Sequence, residues 1–267
     1  MAVAAVTSRP GSAPPAGRLH RFWDSSVGKK VVAAVTGLIG IGFAVGHMAG
    51  NLQMFKGTGA AQAMSDYAVL LRSTGGLLWV ARGVLVVAVA LHVTATLQLL
   101  ARNRAARPAG YAVQRTQVAT LASRLMRAGG ILLLAFLVFH IADMTFGLGV
   151  PEFRHLDPYN NLRRGFSRGW AVAFYLAAVT ALGFHLYHGA WAAFRTLGAR
   201  HPSAAPLHRT VAAAVAIVTA LGFAAIPLGA VLGAFTDDTP VQVGAPSHEA
   251  QAAGPGARSL VPTGGLR

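Results

Sequence analysis

Four histidines lie deep within long apolar stretches of the chain, and their side chains are the groups best suited to chemistry. They are His47, His92, His140 and His185. An ionisable ring inside a membrane span is costly and usually has a functional role. A neutral imidazole is also a good axial ligand for haem iron. The depth and pairing of these rings therefore decide what chemistry the chain supports.

Five apolar segments carry or flank these histidines. Each has about 20 residues or more, enough to cross a hydrocarbon core of ~30 Å as a helix. They cover approximately residues 31–52, 78–100, 128–148, 170–194 and 211–235. We find no strand pattern and no soluble domain. The sequence therefore predicts an all-α integral membrane bundle of five transmembrane helices within residues 21–235, with disordered tails at 1–20 and 236–267.

Composition supports a membrane protein and excludes several classes of site. The chain is 54% hydrophobic and 12% charged, about half the charged fraction of a soluble domain. It has no cysteine, so this chain cannot hold a disulfide, a thiolate zinc site or an iron–sulfur cluster. The net charge of +15 comes from Lys and Arg between the apolar runs, which argues against nucleic-acid binding.

The distribution of Lys and Arg predicts the orientation of the bundle. On the side of the N-terminus there are 14 basic residues, and on the other side there are 9. Cytoplasmic loops carry the excess of positive charge, so we expect a cytoplasmic N-terminus and an external C-terminus.

This orientation sorts the histidines into two layers. His47 and His140 would lie ~8 Å from the outer ends of their helices, and His92 and His185 ~13 Å from the inner ends of theirs. The layers would then be roughly 10 Å apart. Two histidines on one iron fill both axial positions, which favours electron transfer over oxygen chemistry. The pattern predicts two haems, one in each layer.

Other interpretations of the histidines stay open at this point. Intramembrane histidines can also join helices by hydrogen bonds or relay protons in a transporter. However, a relay would be expected to use more carboxylates than these spans contain, with Asp143 the clear case. His188 follows His185 by one helical turn, and spacing alone does not choose between them. The remaining histidines are predicted to be solvated in loops or tails: His20, His155, His201, His208 and His248.

Three stretches of sequence, with His92 in the second helix, form an ordered set of motifs. They are Gly28-Lys29-Lys30 with Thr36-Gly37 and His47 to Gln53, then His140 to Phe146, then Phe184 to Trp191 followed by Phe194 to Gly198. This set resembles the membrane-anchor cytochrome b subunit of succinate dehydrogenase and fumarate reductase, in its single-chain, five-helix, dihaem form. The resemblance covers about residues 25–235.

The resemblance implies that two b haems are bound, each with one histidine on either side of its iron. His47 and His140 would hold the distal haem, and His92 and His185 the proximal one. It also favours His185 over His188, because Gly189 and Trp191 then fall at the expected offsets.

The resemblance further implies partners and a cellular location. A flavoprotein would oxidise succinate, and an iron–sulfur subunit would pass electrons through both haems to a quinone, typically menaquinone, in the cytoplasmic membrane of a bacterium. This chain would not itself act on succinate, and the direction of turnover is open. The basic segment from Arg102 to Arg127 could dock the iron–sulfur subunit. Alternatives are a haem-free anchor, or the cytochrome b subunit of a hydrogenase or formate dehydrogenase.

Polar residues near the two layers are candidates for binding quinone and haem propionates. On the outer side, the quinone candidates are Asp66, Tyr67, Arg72, Trp79 and Asp143; on the inner side, they are Ser26, Lys29 and Arg127. The candidate partners of propionates are Arg163, Arg164 and Arg168 on the outer side, and Lys30, Arg124 or Arg195 on the inner side.

Overall fold

The computed structural model describes residues 17–106, 121–199 and 201–235. Residues 1–16 of the tail predicted at 1–20, the whole tail predicted at 236–267 and the middle of the basic segment, residues 107–120, lie outside this range, as does His248. Within it the chain is helical and contains no strand. The eight α-helices are α1 Arg18–Asp24, α2 Ser26–Asn51, α3 Ala60–Ser73, α4 Gly76–Ala105, α5 Leu121–Met144, α6 Pro158–Phe166, α7 Gly169–Thr196 and α8 Ala205–Val231.

Five of these helices, α2, α4, α5, α7 and α8, are long and apolar enough to cross a membrane. The predicted fold class is therefore confirmed, and the chain is a multi-pass membrane protein. Many large apolar side chains of α4 and α5 are exposed, as expected for surfaces that face lipid.

The three shorter helices were not predicted. Helix α1 begins at Arg18, inside the segment that the sequence predicted to be a disordered tail. Helix α6 begins where Asp157 accepts a hydrogen bond from the backbone N–H of Asn160 and Pro158 occupies the first turn. These local signals are weak compared with the long apolar runs, so hydropathy alone does not predict the shorter helices.

The chain divides into two compact units. The first takes residues up to 46, 80–130 and 181–219, and the second takes residues 47–79, 131–180 and 220 onward. His92 and His185 belong to the first unit, whereas His47 and His140 belong to the second. Each unit therefore contains one of the two predicted pairs.

The second unit has an aromatic and aliphatic core in which α3 packs against α6. Its buried members include Met54, Met64, Tyr159, Phe166 and Tyr175. The loop before α6 is fixed to this core at Leu156, which has a left-handed backbone (φ +66°). Its carbonyl accepts a hydrogen bond from buried Ser65 at 2.9 Å. This bond helps to hold a backbone conformation that is unfavourable for leucine.

In the first unit, α1 is joined to α2 by a tight corner. Lys29 is almost fully buried, and its Nζ donates to the carbonyl of Trp23 at 2.6 Å while it lies over the Trp23 ring. The guanidinium of Arg102, near the end of α4, donates to the carbonyl of Asp24. These bonds tie the start of α2 to both α1 and α4.

Candidate functional site

In the first unit, α4 and α7 bring the rings of His92 and His185 together. Their ring centroids are 6.2 Å apart and their planes are inclined by 58°. Nδ1 of His92 lies 3.0 Å from the carbonyl oxygen of Ala33. A carbonyl can only accept, so Nδ1 carries the proton and donates it. Nε2 of His92 is then the deprotonated nitrogen, which is the form that binds a metal.

A second contact reinforces the orientation of the His92 ring. Oγ1 of Thr36 lies 3.3 Å from His92 Nδ1, while its own proton is directed to the carbonyl of Val32 at 2.7 Å. The hydroxyl oxygen therefore offers a lone pair to the imidazole N–H. Two acceptors on α2 thus hold one edge of the ring.

The other ring of this pair is less constrained. Nδ1 of His185 is buried and has no hydrogen-bond partner in the part of the chain that the structure describes. Two glycines lie against the pair: a Cβ on Gly37 would be 3.3 Å from Cε1 of His92, and one on Gly130 would be 4.0 Å from Cε1 of His185. Backbone of α2 and α5 can therefore approach the rings closely. His185, rather than His188, is the residue placed beside His92.

In the second unit, α2 and α5 bring together His47 and His140. Their ring centroids are 5.9 Å apart, with planes inclined by 74°. Phe136, one turn before His140, stacks on its ring at 5.6 Å, and Phe223 lies 5.9 Å from the His47 ring. The pair is therefore enclosed by aromatic side chains.

Each ring of the second pair also has a polar contact. Nδ1 of His140 is 3.0 Å from the hydroxyl of Tyr175. Nε2 of His47 is 3.3 Å from Nδ2 of Asn51, one turn later on α2. A ligand bound at that nitrogen of His47 would take the place of the Asn51 contact.

Both pairs have the spacing needed for axial ligation of one iron. Two imidazoles on opposite faces of an iron, each with a metal–nitrogen bond of about 2 Å, place their ring centroids roughly 6 Å apart. The observed 6.2 and 5.9 Å match this separation. Within the described ranges, no group of three or more His, Asp or Glu side chains could hold a bare metal ion. Two imidazoles alone suit haem, since the porphyrin supplies the other four ligands.

Among the outer-side candidates, the structure joins Asp143 and Arg168. Asp143 is completely buried one turn after His140, and both of its carboxylate oxygens accept from one guanidinium nitrogen of Arg168, at 2.7 and 2.9 Å. Nε of Arg168 donates to the carbonyl of Gly165. The predicted quinone residue and the predicted propionate partner are thus each other's counterion.

The other outer quinone candidates lie on α3 and at the start of α4. A Cβ on Gly50, one turn after His47, would be 3.1 Å from the Tyr67 ring, so Tyr67 lies against α2 close to the second pair. Asp66 accepts from Gln62 at 2.7 Å, and Arg72 contacts the carbonyl of Ala68 on its own helix. Trp79 is largely exposed.

The basic candidates occupy varied environments. Arg164 is buried and donates to the Glu152 carbonyl at 2.6 Å, and Arg163 is half-buried on the same helix. On the inner side, Lys29 is held by Trp23, whereas the rest remain accessible: Ser26, Lys30, Arg124, Arg127 and Arg195.

One prediction about the remaining histidines is wrong. His208 was expected to be solvated in a loop, but it lies in α8, where its half-buried ring stacks on Phe194 at 4.5 Å with an angle of 11°. Burial of two flat faces stabilises this contact. His20, His155 and His201 are exposed, as predicted, but His20 lies in helix α1 rather than in a loop or tail.

Several residues around the rings were missed by sequence reasoning. Phe136 and Asn51 are at i−4 and i+4 from a histidine, so helical spacing could have identified them. Ala33 contributes only a backbone carbonyl, and Tyr175 is distant in sequence from His140. Neither has a signal in the sequence.

Comparison with known proteins adds no relative. No protein-family model, no curated protein and no solved structure matches this chain.

Proposed function

We propose that this chain is the dihaem cytochrome b membrane-anchor subunit of a succinate:quinone oxidoreductase in a bacterial cytoplasmic membrane. The observation that supports it most strongly is the presence of two histidine pairs, one in each unit, with centroid separations of 6.2 and 5.9 Å. A single intramembrane histidine can join helices, but two facing pairs at the separation of bis-imidazole ligation favour haem.

His92 and His185 would hold one b haem, and His47 and His140 the other. When bound, each haem supplies a site that accepts and releases one electron between the iron–sulfur subunit and quinone. The Ala33 carbonyl keeps the proton of His92 on Nδ1, so Nε2 is ready to bind without a change of tautomer. If both histidines of a pair bound the iron, no position would remain for oxygen, which would favour electron transfer.

The second unit offers the better place for a quinone, for which menaquinone is the proposed species. All five outer candidates, Asp66, Tyr67, Arg72, Trp79 and Asp143, belong to the unit that holds the His47–His140 pair. Tyr67 lies against Gly50, one turn from His47, and its side chain is partly exposed. Its hydroxyl could therefore donate to a quinone oxygen, and the neighbouring exposed carboxylate of Asp66 could supply a proton.

The proposed partners are the flavoprotein and the iron–sulfur subunit. Support comes from the resemblance described above and from exposed basic residues of the predicted cytoplasmic side, such as Arg102, Arg104 and Arg127. Exposed positive charge favours association with an acidic partner surface. The haem-carrying chain would then anchor the soluble subunits to the membrane.

Haem stoichiometry tests the proposal directly. The complex should be purified from membranes and its reduced-minus-oxidised spectrum recorded, with haem counted per chain by extraction. We expect a b-type spectrum with two haems per chain. Replacing His92 or His185 by alanine should remove the same spectral component, and replacing His47 or His140 should remove the other.

His188→Ala is the matched control, because His188 lies one turn from His185 on the same helix. It should retain both haems. A folded wild-type preparation without haem, grown with haem available, would reject the proposal and favour a haem-free anchor. Two haems without co-purifying flavin or succinate oxidation would favour the cytochrome b subunit of another oxidoreductase.

A further inference from the structure

The hydroxyl of Tyr175 is the only side-chain group in the described ranges that the structure shows hydrogen-bonded to His140. The phenol oxygen lies 3.0 Å from Nδ1, on the edge of the ring away from Nε2. Tyr175 is 6% exposed and comes from α7, whereas His140 comes from α5. The contact therefore joins two helices at one edge of the His47–His140 pair.

The position of the phenol is set by its neighbours. Phe136 and Phe166 meet the Tyr175 ring edge to face, each with centroids 4.9 Å apart and planes at 88°. Phe136 also stacks on His140. These aromatic contacts confine the tyrosine side chain, so its hydroxyl has little freedom to turn away from Nδ1.

The polarity of this hydrogen bond depends on what binds at Nε2. A phenol can donate or accept, and so can a neutral imidazole edge. If iron occupies Nε2, the ring proton must be on Nδ1, and the N–H then donates to the phenol oxygen. The contact can thus serve the ring both before and after a metal is bound.

Three of the four rings differ in what their Nδ1 contacts. His92 Nδ1 donates to a backbone carbonyl, His185 Nδ1 has no partner in the described ranges, and His140 Nδ1 faces a phenol. A ligating histidine is usually oriented by an acceptor at its other nitrogen, which also increases the basicity of the ligand. Tyr175 is the residue with this relation to His140.

We infer that Tyr175 is a positioning residue for His140: its phenol oxygen accepts the Nδ1–H, orients the ring toward iron and increases electron donation to it. This inference rests on the proposed haem function. Greater electron donation favours ferric over ferrous iron, so the bond lowers the reduction potential of this haem. A neutral phenol accepts less strongly than a carboxylate.

Tyr175→Phe is the test variant, since it removes one oxygen and keeps the aromatic contacts. We expect the ferric–ferrous equilibrium of one haem to shift about tenfold toward ferrous, which is a rise of about 59 mV for one electron. The haem lost in His140→Ala should be the one that shifts. The other haem should keep its potential.

The experiment is a potentiometric titration of the purified complex, together with low-temperature EPR of the oxidised haems. Tyr159→Phe is the matched control, because it removes a buried tyrosine hydroxyl from the same unit, at a ring that packs edge to face on Phe235. Fluorotyrosine at position 175 is a second variant that keeps the shape of the residue. A weaker acceptor oxygen should produce a smaller shift in the same direction.

The outcomes separate this inference from the proposed function. Two haems with unchanged potentials and EPR signals in Tyr175→Phe would overturn the role of Tyr175 and leave the dihaem proposal intact. An equal shift in Tyr159→Phe would also overturn it. If Tyr175→Phe loses the haem, the fluorotyrosine variant decides the question: a rise in the potential of the same haem would support the role of Tyr175, and an unchanged potential would overturn it. Absence of haem in the wild type would reject both.

Discussion

The buried ion pair between Asp143 and Arg168 leads to a quantitative prediction. The carboxylate is completely buried, and the guanidinium side chain is 15% exposed. Removing one partner of a buried pair leaves an uncompensated charge and costs about 3–5 kcal/mol. We expect Arg168→Gln to lower the free energy of unfolding by an amount near the upper end of this range, because it leaves the fully buried carboxylate of Asp143 without its counterion.

Asp143→Asn should cost somewhat less, about 3 kcal/mol. Arg168 would keep its bond from Nε to the Gly165 carbonyl, its 5.2 Å contact with the Trp170 ring and its limited access to water. The double variant removes both charges, so its cost should fall below the sum of the two single costs. A coupling free energy of about 2–3 kcal/mol is expected.

The assay is the unfolding of the purified chain by SDS in mixed micelles, monitored by far-UV circular dichroism. Asp66→Asn is the control, since that carboxylate is exposed and accepts from Gln62 on its own helix. Its unfolding curve should match the wild type. Additive costs in the double variant, with coupling below about 0.5 kcal/mol, would refute the assignment of Asp143 and Arg168 as one buried pair.

Two further predictions concern glycines of α2. Gly37→Ala places a methyl group 3.3 Å from Cε1 of His92, so it should alter the absorption spectrum of one haem. Gly40→Ala is the control, because its methyl group would meet nothing within 4 Å and should leave the spectrum unchanged. A Gly37→Ala spectrum equal to that of the wild type would contradict the close approach. In Gly28→Ala, the added methyl group would overlap the backbone carbonyl of Phe22 and force α1 away from α2. Protease cleavage near α1 should therefore be faster than in the wild type. Unchanged cleavage would argue against the tight corner.

Much of the fold could be predicted from hydropathy because lipid imposes a simple requirement. A span must satisfy its own backbone hydrogen bonds and present an apolar surface, so long apolar runs become helices. Predicted spans at 31–52 and 170–194 correspond to Ser26–Asn51 and Gly169–Thr196. The observed ends differ by several residues, because polar residues can extend a helix beyond the hydrocarbon region. Helices α3 and α6 are amphipathic and have no comparable signal.

The histidine pairs could be predicted in part. Counting residues from the same end of helices that cross the membrane in the same direction places side chains at similar depth, which is how His92 and His185 could be matched. Depth does not give the rotation of a helix about its axis, so it could not decide whether His185 or His188 faces His92. The structure resolves this geometrically by placing the His185 ring 6.2 Å from His92.

The sequence by itself determined that the chain has five helices able to cross a membrane, and it predicted that the four histidines form two pairs, because both inferences follow from local hydropathy and helical rise. Only the tertiary structure decided which groups meet the rings: the Ala33 carbonyl at His92, and Tyr175 at His140. It also decided that Asp143 and Arg168 neutralise each other. These contacts depend on helix rotation and on the course of the loop before α7, which arise from packing between segments distant in sequence.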